Sequence, residues 1–349
     1  MYQIHLDDLE DLAIGASILG SGGGGDPTYD LLQTQVMIER HGPVTIISAE
    51  ELQPEDLVVP VAIMGAPLIS IEKIVGGNEI QQLIHLIEQQ KGFRKVTALM
   101  PGEIGGGNAF TPLSAAAKLG LPVLDADTIG RAFPQLQMSS CNLYGINPSP
   151  AFVCDSLGNS VTVHANDANS LEQLLRHIVV AMGSSASIAL YLMTGKQAQS
   201  CTVHGTITQA LQLGRQVRRA VETHQDVANA IFEVTTGKKI ATGTLIDIDQ
   251  NIQNGFLSGS ASLQTEDGII TILYQNEYLM ATQQGKTVAM TPDIITLLEQ
   301  GTGRPITSER LRYGMRVDLI TLEAPPLWKT PEGLSLVGPQ IFGYQRSTP

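Results

Sequence analysis

The run Leu57-Val58-Val59-Pro60-Val61-Ala62-Ile63-Met64 is apolar at every position and rich in β-branched side chains. So short a run is typical of a strand that is buried on both faces rather than of a helix. Residues 44–47, 95–100 and 122–125 have the same character, and helical patterns over 78–90 and 114–119 lie between them. This β-α-β-α-β alternation predicts an α/β domain with a parallel or mostly parallel sheet.

The second half of the chain has a different pattern. Helical periodicity over 170–182 and 206–224 is followed by short strand-like segments, such as 240–248, 269–274 and 315–320. Asn254-Gly255 and Asp267-Gly268 are typical two-residue hairpin turns, which join antiparallel strands. We therefore predict an α/β domain over residues 1–165 and, over 166–349, helices followed by a mainly antiparallel β domain, a barrel or a sandwich.

The composition argues against several kinds of partner. The 349 residues carry 21 Lys and Arg against 34 Asp and Glu, a formal net charge of −13. Nucleic acids and anionic membranes require basic surfaces, so neither is expected as a partner. No apolar run reaches membrane-spanning length, and no secretory leader is visible. The three cysteines are odd in number and widely spaced, so they predict no disulfide framework and favour the cytoplasm.

Four consecutive glycines, Gly22, Gly23, Gly24 and Gly25, precede Asp26-Pro27 and lie between two helical patterns. A dinucleotide fingerprint needs a strand before its glycines, and a Walker A loop needs a following Lys-Ser or Lys-Thr, so neither is present. A mobile connection between helices is one explanation. A main chain that approaches a ligand and turns its N–H groups toward an anion or carbonyl is the other. We favour the ligand loop, which makes Gly22 to Asp26 candidate substrate-binding residues.

The loops that follow the predicted strands contain a second group of candidates. In a parallel α/β sheet, ligands bind beyond the carboxyl ends of the strands, which all lie at one edge. The strand at 57–64 is followed by Gly65-Ala66-Pro67, and the next strands are followed by residues 101–108 and 125–127. We expect these loops to bring together three carboxylates and a neutral hydrogen-bonding side chain, namely Glu103, Asp125, Asp127 and Asn108.

Three carboxylates at one edge have two chemical uses that the sequence leaves open. They could bind a divalent metal ion, or they could divide into a general acid and a general base, with mutual repulsion raising one pKa. Arg131 could clamp a substrate carboxylate or neutralise an aspartate. Each residue alone also has a structural explanation, and their expected convergence favours a site. We predict Glu103, Asp125 and Asp127 as catalytic residues, and Gly65, Ala66, Asn108 and Arg131 as substrate-binding residues.

Several of these stretches resemble a known family. They include 18–27, 64–67, 103–108, 120–138, 312–314 and 330–333, and the run 120–138 is specific enough to make chance unlikely. Over essentially its whole length the chain is similar to the S-methyl thiohydantoin desulfurase family, once catalogued only as a domain of unknown function. At His204 the chain departs from the family pattern, so we assign no metal-ligand role there.

The resemblance implies an N-terminal α/β domain and a C-terminal mainly β domain. It also implies hydrolysis of a hydantoin-like ring, in which water attacks the ring carbon that carries sulfur and a thiol leaves. The carboxylates offer a base and an acid for this reaction, and a bound metal could replace the base. Members are often encoded beside hydantoinase/oxoprolinase-type genes. The alternative is therefore a non-catalytic ligand-binding or partner subunit of such an assembly, and a homo-oligomer also stays open.

Overall fold

The strands of the first half and their pairing define its architecture. The computed structural model describes residues 1–65, 69, 76–253 and 256–344. Along the chain to residue 204, the strands are β1 (Tyr2–Ile4), β2 (Val44–Ile47), β3 (Leu57–Gly65), β4 (Ala98–Pro101), β5 (Val123–Leu124), β6 (Ala126–Asp127), β7 (Ala151–Cys154), β8 (Ser160–Val163), β9 (Ser185–Ala189), β10 (Met193–Thr194) and β11 (Val203–His204).

The first sheet is mixed. Its order is β1-β2-β5-β4-β3-β9-β7-β8, and β10 also pairs with β3. Strands β2, β5, β4 and β3 are parallel neighbours, whereas β1, β9, β7, β8 and β10 pair antiparallel. The predicted α/β fold class is confirmed. Strand β9 follows residue 165 in the chain yet lies beside β3, and the domain limits 1–165 and 166–349 stay a prediction.

Helices cover both faces of this sheet. Val59 and Val61 of β3 pack into one core, together with residues of α1 to α4 and α8, while Val58 and Ala62 pack into the other, with α6 and α7. A strand buried on both faces has no polar alternation, which explains the unbroken apolar run. The helices are α1 (Leu9–Leu19), α2 (Thr28–His41), α3 (Glu79–Gln89), α4 (Thr111–Leu119), α5 (Ser140–Leu143), α6 (Ala168–Ala181), α7 (Gly195–Cys201), α8 (Thr206–Glu222), α9 (Val227–Phe232) and α10 (Pro331–Val337).

The second half is dominated by one antiparallel sheet, as predicted. Its order is β16-β15-β14-β13-β12-β19-β17-β18, and each neighbouring pair is antiparallel. The predicted turn at Asp267-Gly268 joins β13 and β14, while Asn254-Gly255 lies outside the described residues. The strands are β12 (Gly237–Gln253), β13 (Phe256–Thr265), β14 (Gly268–Gln275), β15 (Glu277–Gln283), β16 (Lys286–Met290), β17 (Ile294–Glu299), β18 (Pro305–Ile306) and β19 (Arg316–Leu322).

Hydrogen bonds in several places attach the second sheet and the segment after it to the first half. The chain after α1 pairs with the sheet: the Tyr278 N–H donates to the Ser21 carbonyl at 2.6 Å, and the Ser308 N–H donates to the Gly22 carbonyl at 2.8 Å. Near the C-terminus, the Trp328 indole N–H donates to the Ile129 carbonyl at 2.6 Å. The two halves therefore share backbone hydrogen bonds and a packed aromatic anchor. Within the described ranges, no helix combines the length and apolarity needed to cross a bilayer.

We expect Gly22→Ala to destabilise the protein more than Gly25→Ala. Both glycines have a left-handed φ, +84° and +78°, so each substitution carries a similar backbone cost of about 1–2 kcal/mol. A Cβ at residue 22 would lie 2.4 Å from Cε2 of Tyr278, whereas nothing lies within 4 Å of one at residue 25. This crowding adds roughly 1–3 kcal/mol at residue 22. Urea unfolding of both variants measures the difference, and equal losses would contradict this packing.

Candidate active site

A cavity of about 170 Å³ lies where the two halves meet. The first half contributes the ends of β3 and β4 and part of the glycine loop, and the second half contributes Glu277, the first residue of β15, and Asn276 before it. Ligands of parallel α/β sheets bind beyond the carboxyl ends of the strands, which we call the strand-end rule, and the cavity lies at that edge of the sheet. In the described chain, the ionisable side chains of the lining are those of Asp26, Tyr29, Asp30, Glu103, Arg176, Tyr191 and Glu277.

The four glycines have two different surroundings. Gly24 and Gly25 line the cavity with Asp26, whereas Gly22 and Gly23 are not part of its described lining. Gly23 lies against the second sheet, since a Cβ there would be 2.0 Å from Oε1 of Glu277. The absence of side chains at residues 22 and 23 therefore permits close packing between the halves, and residues 24 to 26 form the part of the loop that lines the cavity.

Glu103 and Asn108 form a hydrogen-bonded part of the wall, as the strand-end rule predicts. The Asn108 amide donates to Oε1 of Glu103 at 2.7 Å, and its Oδ1 accepts the Ile63 N–H at 2.7 Å. The second bond fixes which end of the amide faces Glu103. Gly65 also lines the cavity, while Ala66 lies outside the described residues. The wall thus holds the Glu103 carboxyl group in one place.

Asp125 is not part of the described cavity lining. Its Oδ1 accepts the N–H groups of Ile207 and Thr208 at 2.9 and 3.1 Å, and its Oδ2 accepts the Thr208 hydroxyl at 2.5 Å. These bonds satisfy backbone donors in the first turn of α8, which have no partner inside the helix. The carboxylate is therefore occupied as a helix cap, and the structure does not bring it together with Glu103 at the cavity.

Asp127 is fully buried behind the cavity wall. Its Oδ2 accepts the Ile104 N–H at 2.7 Å, and both of its oxygens accept the Gly130 N–H, at 2.8 and 2.9 Å. Because Ile104 follows Glu103 in the chain, these bonds hold the Glu103 loop against the loop after β6. Asp127 therefore does not line the cavity. It lies behind the wall and positions the loop that carries Glu103.

Arg131 is also fully buried and outside the described lining. Its guanidinium donates to the carbonyls of Pro292 and Asp293, at 2.5 and 2.9 Å, and lies 4.4 Å from the centre of the Phe133 ring. It thereby links the two halves behind the cavity. Burial lowers the pKa of Arg131 to about 10, and the nearby carboxylates of Glu277, Asp293 and Glu103 oppose that change. The group therefore keeps its positive charge near neutral pH.

Asp30 and Glu277 are among the cavity residues that were not predicted from the sequence. Asp30 lies one helical turn after Asp26, and its carboxylate covers Gly107, where a Cβ would be 2.4 Å from Oδ2. Glu277 begins the buried strand β15 and is itself buried, with no hydrogen-bond partner for Oε2 in the described structure. An acidic residue directly before the apolar run Tyr278 to Ala281 was the available signal for Glu277.

The carboxyl groups of the cavity have raised pKa values, chiefly because burial disfavours their charged forms. Burial raises the pKa of Glu103 to about 7, against the opposing effects of the Asn108 hydrogen bond and the Arg131 charge. The pKa of Asp30 is raised by burial to about 7. Burial and then the charge of Glu103 raise the pKa of Glu277 well above its ordinary range. Burial thus favours the protonated form of Glu277, and Glu103 titrates near neutral pH.

The described part of the chain does not gather a metal-binding set. No group of three or more His, Cys, Asp or Glu side chains there is arranged to hold a metal ion. Of the three carboxylates considered for that purpose, Asp125 caps a helix and Asp127 accepts backbone N–H groups. The donors considered for a cation are thus already engaged elsewhere, and the described residues do not fit the divalent ion that the sequence left open as one alternative.

The fold and cavity define a two-domain class, in which a mixed α/β sheet and an antiparallel sheet share an acidic cavity at their junction. The family models for the S-Me-THD-like N-terminal and C-terminal domains match residues 7–165 and 165–348. The chain belongs to this S-Me-THD-like family, that of the S-methyl thiohydantoin desulfurases, which confirms the resemblance. An X-ray structure of a protein from Chromobacterium violaceum is similar over 100% of both chains, with 25% identity and a TM-score of 0.83. No curated protein matches the sequence.

We expect Asn108→Ala to raise the pKa of Glu103 above its value of about 7. The Asn108 amide donates to the carboxylate and stabilises the charged form, so its loss favours the protonated form. Carboxyl ¹³C chemical shifts across a pH titration measure the change. Asn169→Ala, an exposed position on α6, is the matched control and leaves the titration unaltered. An unchanged or lower Glu103 pKa in Asn108→Ala would contradict this geometry.

Proposed function

We propose that the protein is a hydrolase that acts on a hydantoin-like ring, an S-methyl thiohydantoin or a related cyclic amide, and releases a thiol. The observation that carries the proposal is the pair of carboxyl groups that face one cavity from the two halves, Glu103 and Glu277. Burial raises the pKa of both groups, that of Glu103 to about 7 and that of Glu277 well above its ordinary range. Membership of the S-Me-THD-like family supports the substrate class.

The reaction needs an acid and a base at the same ring. Water is a weak nucleophile toward a ring carbon that carries sulfur and is double-bonded to nitrogen, so a base must take its proton during attack. Methanethiolate leaves more readily when an acid protonates it. Two carboxyl groups whose pKa values are pushed apart by their surroundings can supply both functions. We assign the base to Glu103 and the acid to Glu277.

The two carboxyl groups transfer the protons of the proposed hydrolysis. Glu103 takes a proton from water as the oxygen bonds to the ring carbon, and it passes that proton to the ring nitrogen. The carbon–sulfur bond then breaks, and Glu277 gives its proton to the departing sulfur. The hydroxyl proton returns to Glu277 as the new carbonyl forms. The products are a hydantoin and methanethiol, and both carboxyl groups regain their starting states.

The surrounding residues support these roles. Asn108 holds the Glu103 carboxylate by the 2.7 Å hydrogen bond, and Asp127 holds the following residue through the Ile104 N–H. The positive charge of Arg131 attracts both catalytic carboxylates and opposes their full protonation. Prearranged groups of this kind lower the cost of reorganisation during reaction. We assign Asn108, Asp127 and Arg131 as positioning residues.

A thiol-release assay tests the proposal. The purified protein alone is expected to release methanethiol from an S-methyl thiohydantoin, detected with a thiol reagent and by mass spectrometry of the hydantoin product. Ligand binding without turnover, together with co-purification of a larger hydantoinase-type subunit, would instead support the non-catalytic role. The absence of both turnover and binding would reject both functions.

We expect Glu103→Gln and Glu277→Gln each to lower kcat/KM by roughly 10²–10⁴-fold, the usual contribution of a general acid or base. Glutamine keeps the size and one acceptor of glutamate but cannot exchange the proton. Glu55→Gln, at an exposed position, is the matched control and keeps full activity. Steady-state kinetics on the three variants measure the effect, with circular dichroism to verify folding. Full activity in either cavity variant would remove that residue from the mechanism.

The pH dependence of kcat/KM is expected to be bell-shaped. The base acts when deprotonated, so activity rises as the pH passes the Glu103 pKa of about 7. The acid acts when protonated, so activity falls once the pH exceeds the strongly raised pKa of Glu277. In Glu277→Gln the alkaline limb should disappear from the residual activity. A wild-type profile that is flat between pH 5 and pH 9 would contradict the assignment of Glu103 as the base.

A further inference from the structure

We propose that a small second cavity binds ordered water, and that Asp30 guides this water into the main cavity for the proposed hydrolysis. The main cavity is the one that Glu103 and Glu277 border, and the second cavity is its neighbour. The guiding role of Asp30 rests on the proposed function, whereas the binding of water is a property of the folded protein alone.

The second cavity has a volume of about 30 Å³ and lies between α2, β3, β9 and the N-terminal parts of α3 and α4. Asp30, Gln33 and Ile63 border both cavities, which places the two side by side. One water molecule needs roughly 10–15 Å³ of such volume, so about two molecules fit. The space is too small for a substrate ring, and its size therefore points to water.

The lining of the second cavity offers hydrogen-bonding groups that the protein itself leaves free. Ser187 of β9 is only 3% exposed, and no described residue bonds to its hydroxyl. Ser114 of α4 borders the same space, and its hydroxyl likewise has no partner in the described structure. Buried polar groups are almost always bonded to protein or to ordered water, and a buried water makes two to four hydrogen bonds. Water in this cavity satisfies both requirements.

Water fits this lining better than an ion does. Glu79, the second carboxylate of the cavity, is already engaged, since its Oε1 accepts the Gly76 N–H at 2.5 Å. A cation would therefore depend chiefly on Asp30, and no group of three or more His, Cys, Asp or Glu side chains in the described ranges is arranged to hold a metal ion. The two carboxylates repel an anion. Water both donates and accepts, as the serine hydroxyls and the Gln33 amide do.

Asp30 is suited to guide water between the cavities. It lies in the first turn of α2 and packs over Gly107, where a Cβ would be 2.4 Å from Oδ2. No described side chain donates a hydrogen bond to its carboxylate, so its oxygens are free to accept from water in either cavity. Water moves past Asp30 with no covalent bond formed or broken, and Glu103 remains the base that takes its proton. Asp30 is thus a positioning residue.

Crystal structures at high resolution test the water site. In the wild-type protein we expect water about 2.5–3.0 Å from the Ser187 hydroxyl and from the Asp30 carboxylate. Ala115 borders the second cavity and not the main one, so the two methyl groups that Ala115→Val adds should displace the water. Ala181→Val, at an exposed position of α6, is the matched control and should keep it.

The wild-type structure decides this point even if Ala115→Val does not fold. A dry second cavity in the wild type would overturn the inference. An ion bound there at about 2.0–2.6 Å from several oxygens would overturn it as well, because water does not approach so closely.

Steady-state kinetics test the role of this water in hydrolysis. Ser187→Ala removes a partner of the water without changing the lining of the main cavity. We expect kcat to fall about 2–10-fold, the effect of losing one hydrogen bond, while KM stays unchanged. Ser160→Ala, an exposed serine in β8 of the same sheet, is the matched control. An unchanged kcat in Ser187→Ala, or a change in KM alone, would overturn the role in hydrolysis.

A double variant tests whether Asp30 acts on the same water. Asp30→Asn keeps the size of the side chain but weakens it as an acceptor, so kcat should fall. We expect the double variant of Asp30→Asn and Ser187→Ala to lose less than the product of the two single losses. Losses that multiply would show that Asp30 acts independently of the second cavity. If the wild type releases no thiol, the hydrolase proposal and the guiding role fail together, and the crystal structures still decide the water site.

Discussion

The contact between the glycine loop and the start of β15 is the constraint on which the rest of this structure depends. Backbone hydrogen bonds join Ser21 to Tyr278 and Gly22 to Ser308, and the missing side chains at residues 22 and 23 let the Tyr278 ring and the Glu277 carboxyl group reach the main chain. These contacts close one side of the cavity and bring an acid from the second sheet to the strand ends of the first. Gly22 and Gly23 therefore permit the close packing of the two halves. Of the four glycines, Gly24 and Gly25 line the cavity where a ligand would lie.

The cavity gathers acids at a cost in stability. Glu103, Asp30 and Glu277 have pKa values in the folded protein above their ordinary values, because burial disfavours the charged carboxylate. Each group therefore stabilises the fold least at high pH. The free energy of unfolding falls as the pH rises from about 4, the carboxyl pKa in the unfolded chain, through the higher pKa in the folded protein. Arg131 offsets part of this cost from behind the wall, where its buried charge attracts Glu277 and Glu103. Local arrangements that oppose stability are expected at functional sites, which is consistent with a catalytic role for this cavity.

The strand-end rule predicted part of the candidate site. It failed where a carboxylate accepts hydrogen bonds from backbone N–H groups. Glu103 and Asn108 follow β4 and face the cavity, as expected from the common direction of parallel strands. Asp125 follows β5 in the same way, yet its carboxylate caps α8, a helix more than 80 residues later in the chain. Asp127 accepts N–H groups of neighbouring loops instead of facing a ligand. The rule locates the edge where a loop begins, but the direction of each side chain depends on unsatisfied backbone donors nearby.

The sequence by itself determined the class of each half and the strand ends at which the candidate site lies. Continuous apolar runs define strands buried on both faces, and alternating short strands with turn residues define an antiparallel sheet, because these patterns reflect local backbone periodicity. The tertiary structure alone decided that β9 extends the first sheet antiparallel and that Glu277 joins Glu103 in one cavity. Residues 23 and 277 lie far apart in the chain, and their contact depends on how two complete sheets pack. Such a pairing leaves no local periodic signal, so the acid that faces Glu103 appears only once the halves are assembled.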